Sequence, residues 1–333
     1  MSIFLLCCAI LYVLSIIIFA IDTYRQAFCW KNQTLDYTRN HGLSNGDFDQ
    51  ALLDQPWQEF EVQSPNGYMI ACVALESQNA AWKREQPEGE AENGGPPHGS
   101  APVAVFVHGI GWTRYGMFKY MKHFTARGWT VVALDLPGHG KSEAPRHYYP
   151  TFGHNEKHDV AAVVDYVRAK WPNAEKIGLL GESMGAGTAL EYAPLADGKI
   201  DFVIADCPFE SLVAEVDYLM REKRWIPDIV QVPALWLFEL IPRFTKGFWI
   251  KSVNPKNDIV SCTLPVLFVH GLEDTWVPYI WSLRMYDLRK TKGRGQTEIF
   301  LVPGARHTGS VRVDPEGWKN AVFGFIDRAC QVD

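Results

Sequence analysis

Ile177-Gly178-Leu179-Leu180-Gly181-Glu182-Ser183-Met184-Gly185-Ala186-Gly187 runs from residues suited to a buried strand into a Gly-x-Ser-x-Gly turn and on into a segment rich in small residues. A strand before and a helix after are the context in which this pattern makes a nucleophile elbow. The demand is steric. So sharp a turn forces Ser183 into a strained backbone conformation that lifts its hydroxyl above the sheet, and glycines on either side let neighbouring backbones approach without a Cβ clash. The helix start behind the serine supplies backbone N–H donors for developing negative charge. A tight strand-to-helix turn with no chemistry is the competing reading of the same residues.

Outward from this point the chain repeats one theme. Apolar runs without polar alternation stand at Val103 to Val107, Thr130 to Leu134, Lys176 to Leu180, Phe202 to Ala205, Val266 to Val269 and Glu298 to Val302, as expected of parallel strands covered on both faces. Helix-like segments separate them at Tyr115 to Arg127, Glu156 to Trp171 and Met184 to Leu195. Strand then helix, repeated, predicts an α/β fold with a mostly parallel, doubly wound sheet, whose ligands bind at the carboxyl ends of the strands. Ahead of it, Trp57 to Val62, the turn Pro65-Asn66-Gly67 and Tyr68 to Leu75 read as an antiparallel hairpin. Residues 76–101 collect Gln, Glu, Asn, Gly and Pro and are expected to form a mobile insertion. The stretch 207–261, with Trp225, Trp236, Phe238, Phe244, Phe248 and Trp249, is too long for one crossover and predicts a helical lid. Those aromatics either pack the lid onto the core or touch a substrate.

A serine hydroxyl needs a base to take its proton and a third group to orient that base. Two strand ends downstream supply candidates. Val266 to Val269 leads into His270-Gly271-Leu272-Glu273-Asp274, and Ile299 to Val302 into Pro303-Gly304-Ala305-Arg306-His307. Asp274 is therefore the expected acid and His307 the expected base, with Asp206 and Glu273 as competing carboxylates. The expected oxyanion donors are the backbone N–H of Met184 and, from the loop after the first parallel strand, that of Ile110, with Gly111 as its alternative. His108 and His270 each open a His-Gly turn hard against a strand and are read as satisfying backbone groups there, and His139 lies in the turn Pro137-Gly138-His139-Gly140. His154 and His158 have metal-ligand spacing at i, i+4, but no further ligand set joins them, so no metal site and no organic cofactor is expected.

The whole chain has 333 residues, 47% of them hydrophobic, enough for a large buried core. Its 32 Lys plus Arg against 38 Asp plus Glu give a net charge of −6, without a basic run to follow a phosphate backbone, so no nucleic-acid partner is expected. Seven scattered cysteines spell neither a disulfide framework nor a zinc cage. From Ile3 to Ile21 no charge interrupts the chain, and at ~1.5 Å per residue a helix over it spans roughly 28 Å, close to a bilayer's hydrocarbon thickness. A retained single-pass anchor over 1–24, followed by a polar connector over 25–54, is the reading preferred to a cleaved signal peptide. Arg25, Lys31 and Arg39 behind it favour a cytoplasmic body, whereas the triplet Asn32-Gln33-Thr34 would be a glycosylation site in a secretory lumen.

His108-Gly109, Asp135-Leu136-Pro137-Gly138-His139-Gly140-Lys141-Ser142, Gly181 to Gly185, His270 to Pro278 and Gly304 to His307 together resemble the α/β-hydrolase superfamily. The likeness extends from about Trp57 to Cys330. Within it, Gly-Glu-Ser-Met-Gly, Ala205-Asp206-Cys207-Pro208-Phe209 and the apolar N-terminus are similar to the YqkD-like and BEM46-like hydrolases, loosely related to prolyl-oligopeptidase-type catalytic domains. The resemblance implies serine hydrolase chemistry on a Ser183, Asp274, His307 triad, and a core formed by 55–206 and 262–333. An aromatic lid at a membrane favours a small-molecule ester or thioester with an apolar acyl group. A prolyl-oligopeptidase-like peptidase and a non-catalytic binding protein are the rivals, and the sequence leaves the oligomeric state open.

Overall fold

In the computed structural model the described residues are 2–29, 31–77, 101–145, 148–196, 198–224 and 226–329. An eight-stranded sheet orders β1 (Gln58–Gln63), β2 (Met69–Leu75), β4 (Thr130–Leu134), β3 (Val103–Val107), β5 (Ile177–Glu182), β6 (Phe202–Asp206), β7 (Val266–Gly271) and β8 (Thr297–Val302). β1 pairs antiparallel with β2 and β2 with β4, whereas every pair from β4 to β8 is parallel. Both faces of the parallel strands are covered. Along β3, Val103, Val105 and Val107 enter one core cluster while Ala104 and Phe106 enter the other. This is why the strands read as unbroken apolar runs.

The helices are α1 (Ser2–Phe28), α2 (Leu35–Ser44), α3 (Gln50–Leu53), α4 (Phe118–Thr125), α5 (Glu156–Lys170), α6 (Met184–Tyr192), α7 (Leu212–Arg224), α8 (Asp228–Lys246), α9 (Pro255–Ser261), α10 (Tyr279–Lys292), α11 (Ser310–Val313) and α12 (Pro315–Ala329). α7, α8 and α9 occupy the long stretch between β6 and β7. The expected mobile insertion lies, but for its ends, outside the described residues, as does Trp225. His154 stands in the turn before α5 rather than on it, stacked on Phe248 with ring centroids 4.9 Å apart, so the pair His154 and His158 does not share a helix face.

Two differences from the sequence reading concern the N-terminus. α1 continues past residue 24, and its final residue, Phe28, is buried against Phe238 and Phe152 at ring distances of 5.9 and 5.5 Å. The supposed polar connector is folded. Thr34 caps α2 by accepting from the Tyr37 amide at 3.1 Å, and the buried Thr38 hydroxyl meets that of Thr113 at 2.6 Å. Asp47 pairs with Arg312 at 2.7 Å. Short polar side chains that serve as caps and buried partners look like linker composition when read one residue at a time.

Where β5 enters α6 the backbone allows no side chain at Gly185, because a Cβ there would land on the Val107 carbonyl of the neighbouring strand. Replacing Gly185 with Ala is expected to destabilise the protein by about 2 kcal/mol through overpacking. Thermal unfolding in detergent is expected to show Tm lowered by roughly 5 °C; an unchanged Tm would contradict the close approach.

Candidate active site

Ser183 sits between β5 and α6 at φ 55° and ψ −118°, a conformation that costs a residue with a side chain roughly 1–3 kcal/mol. Its amide donates to the Asp206 carbonyl at 2.9 Å and its carbonyl accepts from Gly187 at 3.0 Å, so the elbow is held on both sides. The loop after β3 comes close as well: a Cβ on Gly109 would lie 3.3 Å from that of Ser183.

The residues expected from three separate strand ends meet here. The Ser183 hydroxyl lies 2.9 Å from His307 Nε2, and His307 Nδ1 lies 2.6 Å from Asp274 Oδ2. An ionised carboxylate can only accept, so the proton belongs on Nδ1, and Nε2 is left as acceptor for the serine. Asp274 is buried, which by itself would raise its pKa. Hydrogen bonds from His270, His307 and the Val277 amide outweigh burial and hold the carboxyl well below the usual carboxylate range. Its second oxygen accepts from the Trp276 and Val277 amides at 2.8 and 2.9 Å.

His108 and His270 are occupied as expected, and His139 is engaged as well. His108 accepts from the Leu136 amide at 2.9 Å and donates to the Gly109 carbonyl at 2.7 Å; His139 accepts from the Gly111 amide at 3.1 Å. They tie the loop after β3 to the loop after β4, and burial pushes both pKa values down, keeping them neutral. The Gly111 amide is thereby engaged. His270 meets the Ser282 hydroxyl at 2.7 Å and donates to the Val277 carbonyl at 2.8 Å, bracing the Asp274 loop.

Asp206, the competing acid, does not reach His307 by any hydrogen bond assigned to it. It takes part in a buried cluster beneath the elbow that sequence reasoning missed. The Tyr120 hydroxyl stands 2.8 Å from both Glu182 Oε2 and Asp206 Oδ2, and Lys119 pairs with Glu182 while donating to the Thr308 carbonyl at 3.1 Å. Lys119 thus links the residue before Ser183 to the residue after His307. A phenol has one proton to give, so two carboxyls facing it fit best when one is itself protonated. Burial, helped by the Glu182 charge, pushes Asp206 up to about 6, so it takes up a proton more readily than an ordinary aspartate. Adjacent to the relay, Cys207 stands at φ 48°, and burial, with the carboxyls around it, drives its thiol pKa well up, so it is a neutral neighbour.

A cavity of about 320 Å³ opens over Ser183 and His307, lined by Ile110, Met184, Phe209, Leu212, Val216 and Val277 among others. Mostly apolar, it suits an apolar group held against the serine. The lid's contribution is Phe209 and aliphatic residues of α7, together with Glu215. Phe238 and Phe248 are packed inside, whereas Trp236 and Phe244 face outward at 74% and 83% exposure. The lid aromatics among the described residues from 236 to 249 therefore do not line the cavity.

A mostly parallel sheet with its serine elbow after the central strand and its acid and histidine loops after β7 and β8 defines the α/β-hydrolase class. Residues 100–256 match the family described as serine aminopeptidase, S33. The chain belongs to the α/β-hydrolase superfamily, alongside the YqkD-like proteins: YqkD of Bacillus subtilis (strain 168) is 31% identical over 233 residues, covering 69% of this chain and 73% of that protein. Protein ABHD12B of Homo sapiens is 24% identical over 217 residues, 62% of this chain and 56% of that one. Among solved structures, the Pyrococcus furiosus esterase Pf2001 has a TM-score of 0.62 at 22% identity, covering 85% of this chain and 96% of that chain. The protein is accordingly a hydrolase of this superfamily.

The Asp206 environment makes a pH-dependent prediction. Its folded pKa of about 6 lies above the ordinary 3.8, so its favourable contribution is complete below pH 4 and is lost as pH rises through 6. Across that window Asp206→Asn is expected to gain stability relative to the wild type by up to roughly 3 kcal/mol. Unfolding curves of the two proteins at pH 4, 5, 6 and 7 measure the difference; a constant offset would remove the shared-proton account.

Proposed function

We propose that the protein is a membrane-anchored serine hydrolase that cleaves a carboxylic ester or thioester with an apolar acyl group. The observation that carries this reading is the unbroken chain of hydrogen bonds from Ser183 through His307 to Asp274 at the floor of an apolar cavity. His307 takes the serine proton as the hydroxyl attacks the acyl carbonyl, and Asp274 stabilises the imidazolium that forms. The oxyanion is received by the backbone N–H of Met184 and that of Ile110, the latter preferred because the Gly111 amide already donates to His139. The leaving alcohol or thiol takes the proton from His307, and water then hydrolyses the acyl-enzyme by the same relay in reverse. The same reading divides the chain into an anchor, a hydrolase core from 55–206 and 262–333, and a lid over 207–261.

The anchor is α1, which over Ile3–Phe28 is long and apolar enough to cross a membrane. Arg25, Lys31 and Arg39 place the body on the cytoplasmic side in this reading. Asn32 supports it, since its side-chain amide donates to the Gly138 carbonyl at 2.7 Å and is committed to the fold.

A peptidase reading has one observation in its favour, the description of the family matched by residues 100–256. Ester and amino-acyl amide substrates with the same acyl part separate the two.

Ser183→Ala is expected to lower kcat/KM for p-nitrophenyl butyrate by at least ~10³-fold with Tm little changed, and to abolish labelling by a fluorophosphonate. Asp274→Asn, which presents the wrong tautomer of His307, is expected to lower kcat by about 10³–10⁴-fold. Full ester hydrolysis by the serine variant would end the proposal, and activity confined to amides would move it to the peptidase reading.

A further inference from the structure

α8 carries an apolar stripe that no described residue covers. Ile229, Val232, Trp236, Leu240 and Phe244 recur at three- and four-residue spacing and are 69%, 46%, 74%, 40% and 83% exposed. This is one helical face with the size and spacing of a buried one.

Its position identifies what covers it. The Tyr12 hydroxyl donates to the Ile229 carbonyl at 2.6 Å, and the Tyr24 hydroxyl meets that of Thr245 at 3.2 Å. From these two contacts α1 and α8 run side by side in the same direction, and the stripe lies alongside Tyr12 to Tyr24. Much of that stretch belongs to the apolar run of α1, whose own outward residues Leu14, Ile17, Ile18 and Ile21 are exposed like those of the stripe. The two surfaces are therefore continuous.

Charge is unevenly distributed. Beside the far end of α8, Arg221 of α7 lies between Asp217 and Asp228 at 3.0 and 2.8 Å and offsets one of their two negative charges. At the near end Arg243 and Lys251 stand over the Trp249 ring at 5.6 and 5.0 Å, level with Tyr24 and Arg25 on α1. Trp, Tyr, Lys and Arg gathered at one level beside an apolar face are what a membrane interface selects.

We infer that the exposed face of α8 is embedded in a lipid bilayer beside α1, making the lid a second membrane-contacting element. This rests on the reading of α1 as the anchor. It places the lid, and the cavity wall that α7 continues from it, against the lipid from which an apolar acyl ester would be taken.

The test uses the full chain with the exposed Cys7, Cys8 and Cys29 changed to Ser, checked for retained esterase activity and reconstituted in phosphatidylcholine/phosphatidylglycerol vesicles. Single nitroxide labels are placed through Ile229→Cys, Trp236→Cys and Phe244→Cys on the stripe, Leu11→Cys on the anchor and Glu61→Cys on the far hairpin. Power saturation with oxygen and with a water-soluble nickel chelate reads each environment. The expected result is an oxygen-to-nickel accessibility ratio several-fold higher at the three stripe positions and at residue 11 than at residue 61. A high ratio at residue 11 with values like residue 61 on the stripe overturns the inference and leaves the anchor intact. Low ratios at residue 11 as well overturn the anchor itself. Stripe labels closed to both reagents and broadened by a neighbouring spin overturn it in favour of a second copy of the chain.

Discussion

A side chain held at φ 55° and ψ −118° is the constraint on which the rest of the site depends. Left alone, Ser183 would relax into an ordinary strand or helix conformation and its hydroxyl would drop toward the sheet. It cannot, because β5 is paired on both sides, α6 starts at the next residue, and the backbone of Gly185 is pressed against Val107 of β3. Strain of this kind persists only where the surroundings over-determine it. The eight strands and the two covered faces are that surrounding, and the strain they hold points one oxygen at His307.

The site also separates its carboxyls by environment. Asp274 and Asp206 end or follow adjacent strands, and both are buried. Asp274 is surrounded by donors, two backbone amides and two histidines, and stays ionised. Asp206 faces another carboxyl across Tyr120 and retains its proton to about pH 6. Different proton affinities in neighbouring acids suit one to orienting an imidazole and the other to the buried cluster under the elbow. The second role carries a mechanical consequence, since Lys119 connects that cluster to the carbonyl of Thr308 and so ties the serine loop to the histidine loop.

The legible parts of the chain were those whose signal is local. The apolar runs, the glycines around Ser183 and the acid and histidine loops each occupy a few consecutive residues, and the rule that parallel sheets bind at their carboxyl ends assembles them without further information. Asp274 and His307 were placed on that ground, and the structure brings them to Ser183. What the sequence did not disclose is pairing across distance. Lys119, Tyr120, Glu182 and Asp206 form one cluster from residues some 60 to 90 positions apart, and no spacing announces it. The folded segment around α2 was hidden for a different reason: Thr34, Thr38 and Asp47 do structural work as a cap, a buried hydroxyl and an ion-pair partner, in a composition shared with linkers. The outward turn of Trp236 and Phe244 was likewise beyond composition, because an aromatic counts equally whether it faces a cavity or a bilayer.

The end of α1 joins the apolar N-terminal helix to the wall of the site. Its first turns are exposed on all sides, but Gln26 and Ala27 line the cavity over Ser183 and Phe28 closes the aromatic cluster with Phe152, Phe238 and Phe248. A membrane anchor joined by a flexible tether would leave its enzyme free to tumble, with the cavity facing any direction. Here the helix packs directly against the lid, so under the proposed anchoring the tilt of α1 would set the orientation of the lid and of the cavity beneath it. Cutting the chain at residue 24 would remove Phe19, Ala20 and Thr23 from a buried face and leave Phe28 without the helix that positions it. The N-terminal segment is thus part of the wall of the site, and under the proposed anchoring it would also set how that wall meets lipid.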